Sequence, residues 1–391
     1  MKQFILITLS VVFTIDCNAN VLPDGAFPVV YEGGWIYIDG RADSAKGNFI
    51  FDTGADNLYL DSTWSAGNTF LLHKNFFNAK LRGIGVKQQH VKVINGTVTF
   101  TFEDNIYKTN NVPVLQLKKI VGDFSDGIIG IEYFYPYVME INYIDEYIKL
   151  YNSIDSVNVA DYLRIHLKKR NNRLYIPLSV KINDTLTISG NFLFDCGSGN
   201  SISFTSAAVK KYNLNKIVTD KAEYFSAYGG IGSESRGFVF RAKQVEIGNY
   251  KFNDVTMLYS TDKKGALSSS KYSGLLGNKI LERFDIIIDF VNNDLYLKAN
   301  ENYKNPFTFS RLGFTYVDRS QTMGVWIVSA IFKNSNAKKA GLKINDKIIS
   351  INGKNVSEIP FRNRKEYFKD NIELVIKRDK KIKVFQLELK P

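Results

Sequence analysis

Phe51-Asp52-Thr53-Gly54-Ala55 and Phe194-Asp195-Cys196-Gly197-Ser198 read almost alike. Each brings apolar residues up to an aspartate and then a glycine that lets the chain turn tightly. A single Asp-x-Gly is an ordinary turn signal. Here the two copies lie 143 residues apart, inside a longer repeat. Asp126-Gly127-Ile128-Ile129-Gly130 matches Ser273-Gly274-Leu275-Leu276-Gly277 at an offset of 147 residues, and Val138-Met139-Glu140-Ile141-Asn142-Tyr143 matches Asp285-Ile286-Ile287-Ile288-Asp289-Phe290 at the same offset. Landmarks recurring in order at a nearly fixed spacing mark a duplicated domain. Its internal pseudo-symmetry is expected to bring Asp52 and Asp195 face to face.

Between the landmarks the halves also agree. Arg82-Gly83-Ile84-Gly85 answers Gly229-Gly230-Ile231-Gly232. Gly83, Gly85, Gly230 and Gly232 suit the tips of mobile hairpin flaps, and equally suit ordinary turns. Alternating, β-branched-rich sequence follows each cluster. Asn95-Gly96, between Val91–Ile94 and Thr97–Phe102, predicts a hairpin turn. Val245 to Phe252 does the same in the second half. A short helix is expected over Thr205 to Tyr212. The pattern is otherwise short strands with turn punctuation, a mainly β chain.

The 391 residues allow two or three domains, and 45% hydrophobic residues is a globular composition. The 28 Phe and 22 Tyr suit sheet cores, with a minority left to line a cleft. Residues 1–19 read as a secretory signal: Lys2, an apolar run from Phe4 to Phe13, and small residues around Ala19. The protein is therefore expected to be secreted or periplasmic. Cys17 opens a lipoprotein alternative, and membrane attachment would come only through lipidation there; Asp16 before it fits that pattern poorly. Beyond the signal only Cys196 remains, so no intramolecular disulfide is expected. The net charge of +12 is spread along the chain without a dense basic run, which points to a solvated basic surface rather than nucleic-acid binding. His73, His90 and His166 with one cysteine give no ligand spacing for a metal, and no cofactor motif occurs.

The first 300 residues resemble the aspartic proteases of the pepsin and retropepsin type. In that family each lobe carries an Asp-(Thr/Ser)-Gly-(Ser/Ala/Thr) motif, buttressed by a later pair of bulky apolar residues ending in glycine. Here these are Asp52-Thr53-Gly54-Ala55 with Ile128-Ile129-Gly130, and Asp195-Cys196-Gly197-Ser198 with Leu275-Leu276-Gly277. The resemblance implies a bilobal pepsin-like fold, with lobes at 20–155 and 156–300. It implies catalytic aspartates at Asp52 and Asp195 and active-site loops supported by Thr53, Gly54, Ala55, Cys196, Gly197 and Ser198. The activity implied is endopeptidase cleavage of polypeptides by water, without cofactor or metal. One chain carries both aspartates, so a monomer suffices. Two departures matter. Cys196 stands where the family has a hydroxyl, and a thiol is a weaker hydrogen-bonding group. The flap region near Gly83 has no tyrosine, although Tyr224, Phe225 and Tyr228 stand beside Gly229-Gly230. They motivate an alternative, a catalytically inactive pepsin-like peptide-binding protein. A cysteine-nucleophile role for Cys196 would need a base that the sequence does not place near it.

After Asn300 the character changes. Leu312-Gly313-Phe314, Asn336-Ala337-Lys338-Lys339-Ala340-Gly341-Leu342 and Asp346-Lys347-Ile348-Ile349-Ser350-Ile351-Asn352-Gly353 resemble a PDZ domain, spanning 305–391. The resemblance implies binding of extended peptides or peptide C-termini by strand addition. Leu312, Gly313, Phe314 and Ile327 are its candidate binding residues; Phe314 and Ile327 suit the core equally well. Strands are expected over Ile372–Ile376 and Lys383–Leu387.

Overall fold

The structure, a computed structural model, describes residues 22–68, 73–81, 89–226, 234–308 and 311–389. Both lobes are wound the same way around their aspartate. In the first, strand Ala45–Asp52 runs parallel to Gly127–Gly130, setting Asp52 beside Gly130. Gly127–Gly130 in turn pairs antiparallel with Leu58–Asp61. In the second, Thr187–Phe194 runs parallel to Gly274–Leu276, which pairs antiparallel with Ile202–Phe204. The late strand is thus inserted between the two arms of the aspartate turn. Glycine opens it for a reason of space: a Cβ on Gly127 would lie 2.6 Å from the Tyr59 carbonyl oxygen, and one on Gly274 2.6 Å from that of Ser203.

The duplication extends through the sheets. The first lobe orders its strands Val30–Glu32, Trp35–Ala42, Ala45–Asp52, Gly127–Gly130, Leu58–Asp61, Asn105–Leu115, Gln89–Phe102, Asn75–Leu81. The second repeats that permutation strand for strand, from Lys168–Arg170 and Arg173–Lys181 to Ser235–Ile247 and Lys221–Ser226. A six-stranded sheet takes three strands from each half, and its centre is the antiparallel pair Val138–Asn142 with Phe284–Asp289. One apolar cluster, from Phe27 to Phe307, runs through both lobes, and Phe49, Phe51, Phe192 and Phe194 enter it from the strands that deliver the aspartates. The fold is therefore mainly β, with two duplicated lobes sharing a six-stranded sheet, followed by a β-rich module with its own core around Trp326, Ile348 and Leu374.

Local expectations fared unevenly. Helix Ser206–Lys211 forms where one was expected, with the Thr205 side chain accepting from Ala208 N. Ile247 pairs with Tyr250 across a two-residue turn in which Gly248 has φ +58°. Strands Asn371–Arg378 and Lys381–Glu388 cover the two expected near the C-terminus. Asn95-Gly96 is not a hairpin turn. It lies inside strand Gln89–Phe102, where pairing with Asn105–Leu115 slips between Ile94 and Thr97, so the extra residues form a bulge and the strand continues. The chain reverses instead between Phe102 and its partner Asn105.

The C-terminal module is fixed to both lobes. Strand Lys221–Ser226 of the second lobe pairs antiparallel with the module's Val325–Phe332, joining the two into one sheet. On the first lobe, the nearly buried Asp123 carboxylate accepts from Arg319 Nε at 2.7 Å, and from Thr322 N and Thr322 Oγ1 at 2.8 Å each. Phe124 stacks on Phe361 with ring centroids 3.7 Å apart. Removing one member of a buried pair strands the other's charge. Asp123→Ala is therefore expected to lower stability by about 3 kcal/mol in urea unfolding. Asp370→Ala, which removes an exposed partner of Arg311, is expected to change it by less than about 1 kcal/mol.

Candidate active site

Asp52 ends its strand half-buried at the floor of a cleft, and Asp195 faces it from the other lobe at 3% exposure. The two carboxyls converge on one point: a Cβ on Gly54 would lie 3.0 Å from Asp52 Oδ1 and 2.9 Å from Asp195 Oδ1. Each is also held from its own turn: Gly54 N donates to Asp52 Oδ1 at 2.7 Å, and Gly197 N to Asp195 Oδ1 at 3.1 Å. The glycines are required by proximity. A Cβ on Gly197 would lie 2.2 Å from Asp52 Cγ, and one on Gly54 2.9 Å from Asp195 Oδ1. Any side chain at either position would push the carboxylates apart.

Burial dominates the proton affinity of the pair. It raises Asp52 above the usual carboxylate range, against hydrogen bonds from Gly54 and Asp195 that lower it. It raises Asp195 well above that range, and the nearby Asp52 charge adds to the effect. Like charges at contact cannot both persist, so the pair retains one proton between them, and its titration belongs to the pair rather than to either residue. Arg173, on the cleft wall, pulls in the opposite direction on both.

A cross-lobe lattice holds the two turns in place. Thr53 Oγ1 donates to Phe194 O at 2.8 Å and accepts from Cys196 N at 2.9 Å. In the reverse direction Cys196 offers only its thiol, which meets the Thr53 and Tyr143 side chains. Cys196 is fully buried, and burial raises its thiol to about 12. It therefore stays protonated at ordinary pH and packs as a small apolar residue.

Further supports were not visible as motifs. Asn278 Nδ2 donates to Gly34 O at 2.7 Å and to Cys196 O at 2.6 Å, and its Oδ1 accepts from Tyr143 OH at 2.9 Å. Trp35 Nε1 donates to Gly197 O at 2.9 Å, and Tyr31 OH to Glu282 Oε2 at 2.5 Å. Asn278 follows Leu275-Leu276-Gly277, but its counterpart after Gly130 is the apolar Ile131, so the repeat gave no signal for it.

The cleft encloses about 1390 Å³ and is lined by Asp52, Gly54, Ala55, Asp195, Gly197 and Ser198. Thr53 and Cys196 lie beneath it, fully buried. Tyr37, Tyr59 and Tyr224 also reach the cleft. The flap candidates Gly83, Gly85, Gly230 and Gly232 lie outside the described residues. Leu312, Gly313 and Phe314 line the same cleft, and Phe314 also belongs to the module's core. Ile327 does not reach the cleft; its strand is paired with Phe314–Arg319 on one side and Lys347–Ile351 on the other.

The lattice makes a stability prediction. Thr53→Val keeps the shape but leaves Phe194 O and Cys196 N without their partner in a buried site. A loss of about 2–4 kcal/mol is expected in chemical denaturation, while Thr53→Ser, which keeps the hydroxyl, is expected to lose less than about 1.5 kcal/mol.

Residues 304–366 match the family model described as PDZ domain. No curated protein matches the chain by sequence. Among solved structures the chain is similar to the crystal structure of basic 7S globulin from soybean, at 9% identity over 70% of this chain and 96% of that one, with a TM-score of 0.42. The module that closes the chain is a PDZ domain, a peptide-binding unit.

Proposed function

We propose that the protein is an aspartic endopeptidase that hydrolyses polypeptides at Asp52 and Asp195, exported from the cytoplasm by the leader read at residues 1–19. The observation that carries this reading is the close approach of two carboxyls delivered by duplicated turns to the floor of one cleft. In such a pair the ionised carboxylate takes a proton from a water held between the two. The water oxygen bonds to the scissile carbonyl carbon, and the protonated carboxyl neutralises the developing oxyanion. Collapse breaks the C–N bond as a proton passes to the leaving amine. Thr53, Asn278 and Trp35 are positioning residues, since they hold the turns and not the reacting atoms.

A peptide-binding protein without turnover is the second reading, favoured by the thiol of Cys196 where a hydroxyl would complete the lattice. A peptide mimic bearing a hydroxyl in place of the scissile carbonyl separates the two. An active pair binds it at least about a hundredfold more tightly than the parent peptide, and a silent cleft does not.

Asp52→Asn and Asp195→Asn each remove the general acid–base pair while keeping its shape. Each is expected to lower cleavage of an unfolded protein at least about a hundredfold with the fold retained by circular dichroism. The working state carries one proton. Activity is lost at high pH as that proton leaves the raised Asp195–Asp52 pair, and at low pH as a second proton binds. The pH–rate profile is expected to be bell-shaped, with its upper limb above the ordinary carboxylate value of about 4. Undiminished cleavage by both variants would refute the assignment.

A further inference from the structure

The cleft that holds Asp52 and Asp195 is also the cleft that holds the PDZ turn. Gly313, Phe314, Thr315 and Tyr316 line the same volume as the two carboxyls. A PDZ ligand adds antiparallel to the strand that follows this turn, with its terminal carboxylate at the turn's backbone N–H groups. Here that strand is Phe314–Arg319, and among the described residues it pairs only with Val325–Phe332.

Which groups face its other edge follows from alternation along a strand. Gly313 O accepts from Phe332 N at 3.0 Å, so Gly313 faces the paired side and Phe314 the open one. Val328, opposite Tyr316, turns its own N–H and C=O away to Asp346 and Asn345, so Tyr316 also faces the open edge. Asp318 O points there too, but it is taken: Asp123 N donates to it at 2.8 Å. The Asp318–Arg364 ion pair and the Phe124–Phe361 stack lie at the same end. The first lobe therefore stoppers the groove at Asp318, while Phe314 and Tyr316 stay open to the cleft. A chain anchored at the turn can pair with Phe314 and Tyr316 and must then leave the strand edge. The cavity it enters runs to the dyad, and its wall carries Lys263, Lys264 and Arg173 as cations suited to a carboxylate-bearing chain.

We infer that the chain anchored at Leu312-Gly313-Phe314 is the same polypeptide that lies across the dyad, so that the cleaved bond is set by its distance from the anchored end. This rests on the peptidase reading above. Hydrolysis itself is unchanged: water adds across the amide, and a new carboxylate and amine leave.

The test uses the full chain and one unstructured peptide in three forms: free C-terminal carboxylate, C-terminal amide, and the carboxylate form extended by Gly-Ser. Fluorescence anisotropy with the Asp52→Asn/Asp195→Asn protein reads binding without turnover. The amide is expected to bind about tenfold or more weakly, from loss of charge-assisted hydrogen bonds, and amide exchange at Phe314 and Tyr316 to slow only with the carboxylate form. With the unmodified protein, mass spectrometry is expected to show the cleaved bond moving by the length of the Gly-Ser extension. Equal binding of carboxylate and amide, or a cut that stays at one sequence position, overturns the inference. If nothing is cleaved, the peptidase reading falls, and the carboxylate-against-amide comparison still decides the anchor.

Discussion

Two carboxylates held at contact, away from bulk water, cannot both keep their charge, and the lobes are arranged around that constraint. Bringing Asp52 and Asp195 together requires backbone without side chains behind each, hence Gly54 and Gly197. It also requires the two turns to be held against electrostatic repulsion. Thr53, Asn278, Tyr143 and Trp35 do this with hydrogen bonds that cross from one lobe to the other. The six-stranded sheet beneath, built equally from both halves, fixes the lobes relative to each other. Burial then raises the proton affinity of the pair, and this is what makes acid–base chemistry available at one site.

The lattice is not symmetric although the fold is. Thr53 donates and accepts across the boundary, while Cys196 brings a buried thiol and leaves much of the work in its turn to Asn278 and Trp35, which bind the carbonyls of Cys196 and Gly197. The PDZ domain breaks the symmetry further. Strand Lys221–Ser226 continues its sheet into the module, whereas its counterpart Asn75–Leu81 ends the first lobe's sheet with Phe76 and Phe77 exposed. Asp123 ties the module back to the first lobe, so the Leu312–Phe314 turn is held at a defined place along the cleft.

The parts of this arrangement that come from duplication were legible in the sequence. The aspartate turns, the apolar-Gly strands and the mainly β character all recur at a nearly fixed offset, and a repeat can be read without knowing the fold. The cross-lobe supports were not. Asn278 and Gly34 are 244 residues apart, and no counterpart in the first half marks Asn278. Asp123 belongs to no motif, and its Arg319 partner stands 196 residues away. Asn95-Gly96 misled for a local reason. The dipeptide suits a tight turn and a bulge alike, and only the continuous pairing of Gln89–Phe102 with Asn105–Leu115 distinguishes them.

The central claim is that Asp52 and Asp195 hold one proton in common. The direct measurement is a pH titration of their carboxyl carbons by NMR on protein labelled at aspartate Cγ, with Asp52→Asn and Asp195→Asn assigning the signals. The account predicts two separated steps, each sensed at both residues, with the second above the ordinary carboxylate value of about 4. Two independent single-step titrations near that ordinary value would contradict it.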